Sequence, residues 1–307
     1  MTYRASYRRN LIGALTAGAL ILNVPAATAE PAQQQSKIVS GINEAAKAIG
    51  NLPRLKKMTP QAKRQLVEFV MGNTLFAMAH EIGHGLIIEM NMPVLGREED
   101  AADSFAVVNA LKMASVFTER VLMEAAKGWV LAGKRDKKQG NTLAFYDEHG
   151  LDLQRAYNVV CFMVGSDPEK YKALAADTRL PEYRQTSCVV DWKNTAWSWD
   201  EMLKPHLRSA DKPKVTINVE YRDEEKYPIQ ARVLRHLSLL EAFAANAADR
   251  YAWPNSFSIV ARSCGEANAR WSSASRTLTL CYELVDEFIE LFLGYSGSIP
   301  RKYRAVR

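Results

Sequence analysis

The chain has 307 residues, 48% of them hydrophobic and 24% charged, enough for a sizeable core in one large domain or two small ones. Its net charge of +6 falls to +3 once Arg4, Arg8 and Arg9 of the leader are set aside. The remaining basic residues are scattered, apart from runs at 134–138 and 301–304, and no nucleic-acid motif accompanies them, so a nucleic-acid-binding class is excluded.

Residues 1–29 have the form of an export signal. The three arginines precede a short apolar core at 11–24, and Ala27-Thr28-Ala29 is an A-x-A cleavage site. The apolar run is interrupted and shorter than the ~20 residues of a membrane-spanning helix. The expectation is export to a periplasm or the cell exterior, with no stable membrane insertion after cleavage; a retained N-terminal anchor is the alternative. The polar stretch 30–37 reads as unstructured.

From Ile38 to about Arg135 the apolar spacing is helical, with breaks at Asn51-Leu52-Pro53 and at Pro93. A charged loop is expected over 134–141. Helical spacing resumes at Leu151 until Gly165 and Pro168 stop it, and further helices are expected at 169–176 and 192–206. The segment 209–213 (SADKP) is the best boundary candidate. Beyond it come a strand at 215–221, a helix at 233–250, two strands at 257–262 and 277–282 joined through Trp271 to Ser275, and an amphipathic helix at 282–293. The predicted class is α+β and predominantly helical. A helical region spans 30–208, and a smaller α+β region spans 213–307, either packed into the same domain or separate.

The chemistry is concentrated in Ala79-His80-Glu81-Ile82-Gly83-His84 and in Glu99-Asp100-Ala101-Ala102-Asp103 fifteen residues beyond it. On a helix, His80 and His84 project from one face, so two imidazoles can share one metal ion. Glu81 is rotated ~100° from His80, beside that metal, where a general base for water belongs. A catalytic zinc takes three protein ligands and an open position. Glu99 is the candidate third ligand, with Glu98 and Asp100 as register alternatives, and Asp103 is placed to accept the other ring N–H of a ligating histidine. The histidines lie on an apolar stripe with Leu66, Phe69, Phe76 and Ile87, where buried polar groups need partners. A second stripe, Glu99, Asp103, Ala106, Ala110, Met113 and Phe117, puts both acids on a packed face.

The arrangement H-E-x-x-H followed by E-x-x-A-D resembles the gluzincins, zinc peptidases whose third ligand is a glutamate on a following helix. More closely, segments 93–106, 149–155, 161–188 and 264–284 are similar to an uncharacterised, mostly bacterial family assigned as zinc metallopeptidases. The resemblance implies a zinc cofactor and a peptide or protein substrate. In many relatives the Cys-Gly-x-x-Asn-Ala…Cys-Tyr-Glu-Leu block precedes the zinc helix; here it follows, which resembles a circular permutation. Among the remaining histidines, His149 matches the family pattern in a loop entering a helix and is the candidate oxyanion donor, with Tyr146 and Tyr157 as alternatives.

Four cysteines fit an exported protein. Cys161–Cys188 and Cys264–Cys281 close the shortest loops of the three possible pairings. For substrate, Asn268-Ala269-Arg270 or residues 276–281 are candidates for an edge strand that pairs with an extended peptide; an ordinary hairpin is the alternative. The leading reading is an exported zinc metallopeptidase. Its rivals are a non-catalytic metal-binding or interaction protein and a zinc hydrolase of a non-peptide amide. Glu81 argues against the first rival, because a structural zinc site is closed by four protein ligands and has no use for a base.

Overall fold

The computed structural model describes residues 29–295, with side chains from Ile38 to Gly294. The export signal, apart from Ala29, and the basic tail therefore lie outside the described residues. From Ile38 to Tyr295 the chain forms one compact unit of α+β class. Ten helices are described: α1 (Ala29–Ile49), α2 (Pro60–Glu89), α3 (Glu98–Lys112), α4 (Val116–Gln139), α5 (Asp152–Ser166), α6 (Lys172–Asp177), α7 (Glu182–Leu203), α8 (Pro228–Leu237), α9 (Leu239–Arg250) and α10 (Tyr282–Tyr295). Four strands, β1 (Ile217–Tyr221), β2 (Phe257–Arg262), β3 (Ala269–Ser272) and β4 (Thr277–Cys281), form one sheet in the order β1-β2-β4-β3.

The central element is α2. Thr59 caps it, its hydroxyl accepting from Ala62 N–H at 3.2 Å, and Pro60 occupies the first turn, where a missing N–H costs nothing. It ends before Asn91, which takes a left-handed conformation, and Pro93. Its residues are buried nearly all round rather than along one stripe, because α3, α4, α10 and β3 all pack against it. One core joins Leu66, Phe69, Met78 and Leu86 of this helix to Leu234, Leu240, Ile259, Leu280, Val285 and Ile289 from beyond residue 213. A second cluster lies between α3, α4, α5 and α7, and there the disulfide Cys161–Cys188 ties α5 to α7. A second disulfide joins Cys264 to Cys281. No helix among the described residues is long and apolar enough to cross a membrane.

Several boundaries differ from expectation, each for a local reason. Helix α1 includes residues 30–37, where Glu, Ala, Gln and Lys favour helix and no glycine interrupts. The stripe from Glu99 to Phe117 is broken at Ala114, which has positive φ. Ser115 and Thr118 form a capping box that starts α4, leaving Met113 exposed. Helix α4 runs on to Gln139 through the predicted charged loop and stops at Gly140, whose left-handed φ of 72° suits a helix C-terminus. Helix α7 starts ten residues before Trp192. The helix expected at 233–250 is two helices hinged at Ser238. The strands at 257–262 and 277–282 do not pair as a hairpin: β2 and β4 are parallel, and the hairpin is β3–β4.

Candidate metal centre

The fold places His80, His84 and Glu99 within contact of one another. His80 Nε2 lies 2.9 Å from Glu99 Oε2, His84 Nε2 lies 3.3 Å from the same oxygen, and the two Nε2 atoms are 3.1 Å apart. The outer nitrogens are also occupied: His80 Nδ1 is 2.8 Å from Asp103 Oδ1, and His84 Nδ1 is 2.7 Å from Glu98 Oε1. Asp100 turns away and pairs with Arg97.

Close approach of the helices makes this possible. A Cβ on Gly83 would lie 3.0 Å from the Cα of Ala102, so the backbones of α2 and α3 nearly touch beside the histidines. The acids that open α3 suit a helix N-terminus, where the macrodipole favours negative charge. On the opposite side, the Trp271 ring lies over Gly85, with ring atoms 3.1 Å from where a Cβ would stand. Trp271 N–H donates to Glu81 Oε2 at 2.6 Å, which orients that carboxylate. Helix α5 supplies Arg155, whose Nε–H and Nη2–H donate to Asp103 Oδ2 and Oδ1, both at 2.7 Å.

Electrostatics follow from burial and pairing. Burial pulls the His80 pKa down, but its contacts with Asp103 and Glu99 outweigh this and raise it to about 9. Burial raises the Glu81 pKa, against the opposing charges of His80 and His84. Burial would also raise Glu99, yet its contacts with His149, His80 and His84 hold it far below the usual carboxylate range. His149 stands on the loop before α5, with Nε2 2.9 Å from Glu99 Oε2 and Nδ1 3.2 Å from Asp147 Oδ1. Its ring stacks on that of His80 at a 6.0 Å centroid separation, and the contact with Glu99 raises its pKa above the ordinary value. His149, His80 and Glu99 offer ligand atoms within 4.8 Å of one another. Tyr146 is exposed to solvent, and Tyr157 O–H donates to the Thr178 carbonyl, so neither faces the centre.

The centre opens into a cleft of about 920 Å³ whose lining extends along α2 from Asn73 to Ile88. One wall is Ala267 to Trp271, including the edge strand β3; the candidate strand at 276–281 is β4, interior to the sheet. Trp129, Ala132, Leu284 and Phe288 make an apolar wall elsewhere in the cleft.

Residues 40–203 and 219–304 match the model of a protein family, DUF4344, described as "Putative metallopeptidase". The two segments span most of the chain. It belongs to this metallopeptidase family. No curated protein and no solved structure matches it. The matched residues include both helices of the histidine–glutamate cluster and strands β2, β3 and β4.

Sequence reasoning had not singled out Arg155, the His84–Glu98 contact, or the Trp271 N–H. Arg155 carries a visible signal: it interrupts the core-facing run Ala156, Val159, Val160 and Met163, where a charge demands a partner. The Trp271 contact has no such signal, because a main-chain donor is supplied by any residue in that position.

Proposed function

We propose that the chain is a zinc-dependent peptidase in which His80, His84 and Glu99 hold the metal and Glu81 is the general base. The observation that carries this is the triangle formed by His80 Nε2, His84 Nε2 and Glu99 Oε2, with edges of 2.9, 3.1 and 3.3 Å. Tetrahedral zinc with N and O ligands at ~2.0–2.1 Å keeps its ligand atoms ~3.3 Å apart. The donor set fits: two imidazoles and a carboxylate, each imidazole backed by a second carboxylate through its other nitrogen.

Zinc held there supplies Lewis acidity for amide hydrolysis. Glu81 is buried, tethered through one oxygen to Trp271 N–H, and has a raised pKa, which suits a group that takes a proton from attacking water and returns it to the leaving amine. Burial of His80 and Glu81 keeps bulk water from competing for these contacts. The edge strand β3 turns one row of its main-chain groups away from β4 toward the cleft, and of these the Trp271 N–H is taken by Glu81. Asn268 C=O accepts from Cys281 N–H, whereas Trp271 N–H points away from β4, so by alternation Ala269 also faces outward. An extended peptide pairing there would cross the metal centre, and the apolar wall would receive its side chains.

A second reading draws on His149. If its Nε2 also binds the metal, the site has four protein ligands, the closed pattern of structural zinc. One experiment separates the readings: metal analysis of the purified full chain, with digestion of a peptide library by wild type, Glu81→Gln and His149→Ala. The peptidase reading expects one zinc per chain, cleavage by wild type, and a ~10²–10⁴-fold loss in Glu81→Gln with zinc retained. Zinc bound without cleavage, and weakened in His149→Ala, would favour the closed site. Full activity in Glu81→Gln would overturn the mechanism.

A further inference from the structure

Arg155 is 8% exposed and enters the site from α5 with its charge fully committed. Both oxygens of Asp103 accept from it at 2.7 Å, and its guanidinium carbon lies 3.7 Å from the centroid of the Trp129 ring. Pairing in the guanidinium plane and stacking on its face leave the group no alternative orientation. Asp103 is thereby fixed, and its Oδ1, shared with Arg155 Nη2, faces His80 Nδ1 at 2.8 Å. A carboxylate that accepts the proton at Nδ1 leaves Nε2, 2.9 Å from Glu99 Oε2 and 3.1 Å from His84 Nε2, as the nitrogen that would bind a metal. His84 is supported differently. Its Nδ1 meets Glu98, whose side chain is 42% exposed, against 18% for Asp103.

We propose that Arg155 is a positioning residue of the metal centre: acting through Asp103, it fixes the ring orientation and tautomer of His80. Of the two histidines, His80 is then the rigidly held ligand and His84 the adaptable one. The inference rests on the zinc reading above.

The test is zinc affinity by chelator competition on the full chain, with the visible spectrum of the cobalt-substituted protein as a report on ligand geometry. The variants are Arg155→Met, Arg155→Lys, Asp103→Asn and the doubles with Asp103→Asn, each compared at equal folded fraction judged by circular dichroism. Arg155→Met should weaken zinc ~10–100-fold, the usual scale for an outer partner of a ligand. Arg155→Lys should recover only part of this, because an ammonium does not present two parallel N–H groups. The cobalt spectrum should change in both. Arg155→Met added to Asp103→Asn should cost nothing further, since the effect passes through Asp103. Unchanged affinity in Arg155→Met, or full additivity with Asp103→Asn, would overturn the proposal. If Arg155→Met does not fold, Arg155→Lys alone and with Asp103→Asn gives the same cycle. A wild type that binds no zinc would sink the metallopeptidase mechanism together with this proposal; tight wild-type binding with indifferent Arg155 variants would sink only the latter.

Discussion

At the scale of single residues, three neighbouring acids at the start of α3 have three different surroundings, and their substitutions should separate accordingly. Glu99 faces both Nε2 atoms, Glu98 meets only His84 Nδ1, and Asp100 pairs with Arg97 at the surface. Glu98→Gln is expected to lower zinc affinity by the ~10–100-fold typical of an outer partner, Glu99→Gln by more, and Asp100→Asn by little. Chelator competition measures all three, and a larger loss in Glu98→Gln than in Glu99→Gln would reverse the assignment. Away from the centre, Glu283 shows how one carboxylate organises a loop. Burial would raise its pKa, but N–H groups of Gly265 and Cys264 and the Ser263 hydroxyl donate to it and hold it low. A depressed carboxylate contributes stability above its ordinary value of 4.5, and that stability is lost as pH falls through the lower folded value. The melting temperature of wild type should therefore exceed that of Glu283→Gln at pH 7, and the gap should close below about pH 4.5. A gap that widens on acidification would contradict this.

Among the elements, the contact of α2 with α3 sets the site, and Gly83 sets that contact. A methyl group there meets the Ala102 main chain at 3.0 Å, and neither helix can yield without moving its neighbours, since both are packed into the core. Gly83→Ala should cost ~1–3 kcal/mol of stability. Because α3 carries Glu98, Glu99 and Asp103, it should weaken metal binding as well. Denaturant unfolding and chelator competition on the same variant decide this; an unchanged zinc affinity would mean that the two helices are not held at their limit. The sequence made α2 and the shared face of His80 and His84 legible because the histidine spacing and apolar stripe are local, and Pro93 marks where the chain must turn. The break at Ala114 was hidden, since residues of ordinary helix propensity occupy it and only the capping pair Ser115 and Thr118 marks it. Strand β3 was harder still: Ala-Arg-Trp-Ser lacks the β-branched run of a strand and owes its form to β4.

Over the whole molecule, the helical part and the sheet are joined by a common core. Leu66, Met78 and Leu86 of α2 share it with Leu234, Ile259, Leu280 and Val285. A chain ending at residue 208 would leave that face of α2 bare, so it is expected to lose cooperative unfolding in urea and zinc binding together; a truncated chain that melts cooperatively and binds zinc would show that the helical part is self-sufficient. The cleft has the same origin, for its histidine–glutamate cluster comes from residues 80–99 while the edge strand and part of the apolar wall come from beyond residue 266. The sequence by itself determined what can be expressed in spacing along the chain: two histidines on one helix face with a glutamate ~100° round from the first, an acid pair one turn apart, cysteines in two short loops. Tertiary structure alone decided which acid backs which histidine, that Trp271 N–H holds Glu81, and that Arg155 holds Asp103. These are contacts between segments 14 to 190 residues apart. They depend on helix approach and strand pairing, which the pattern of any single segment does not encode.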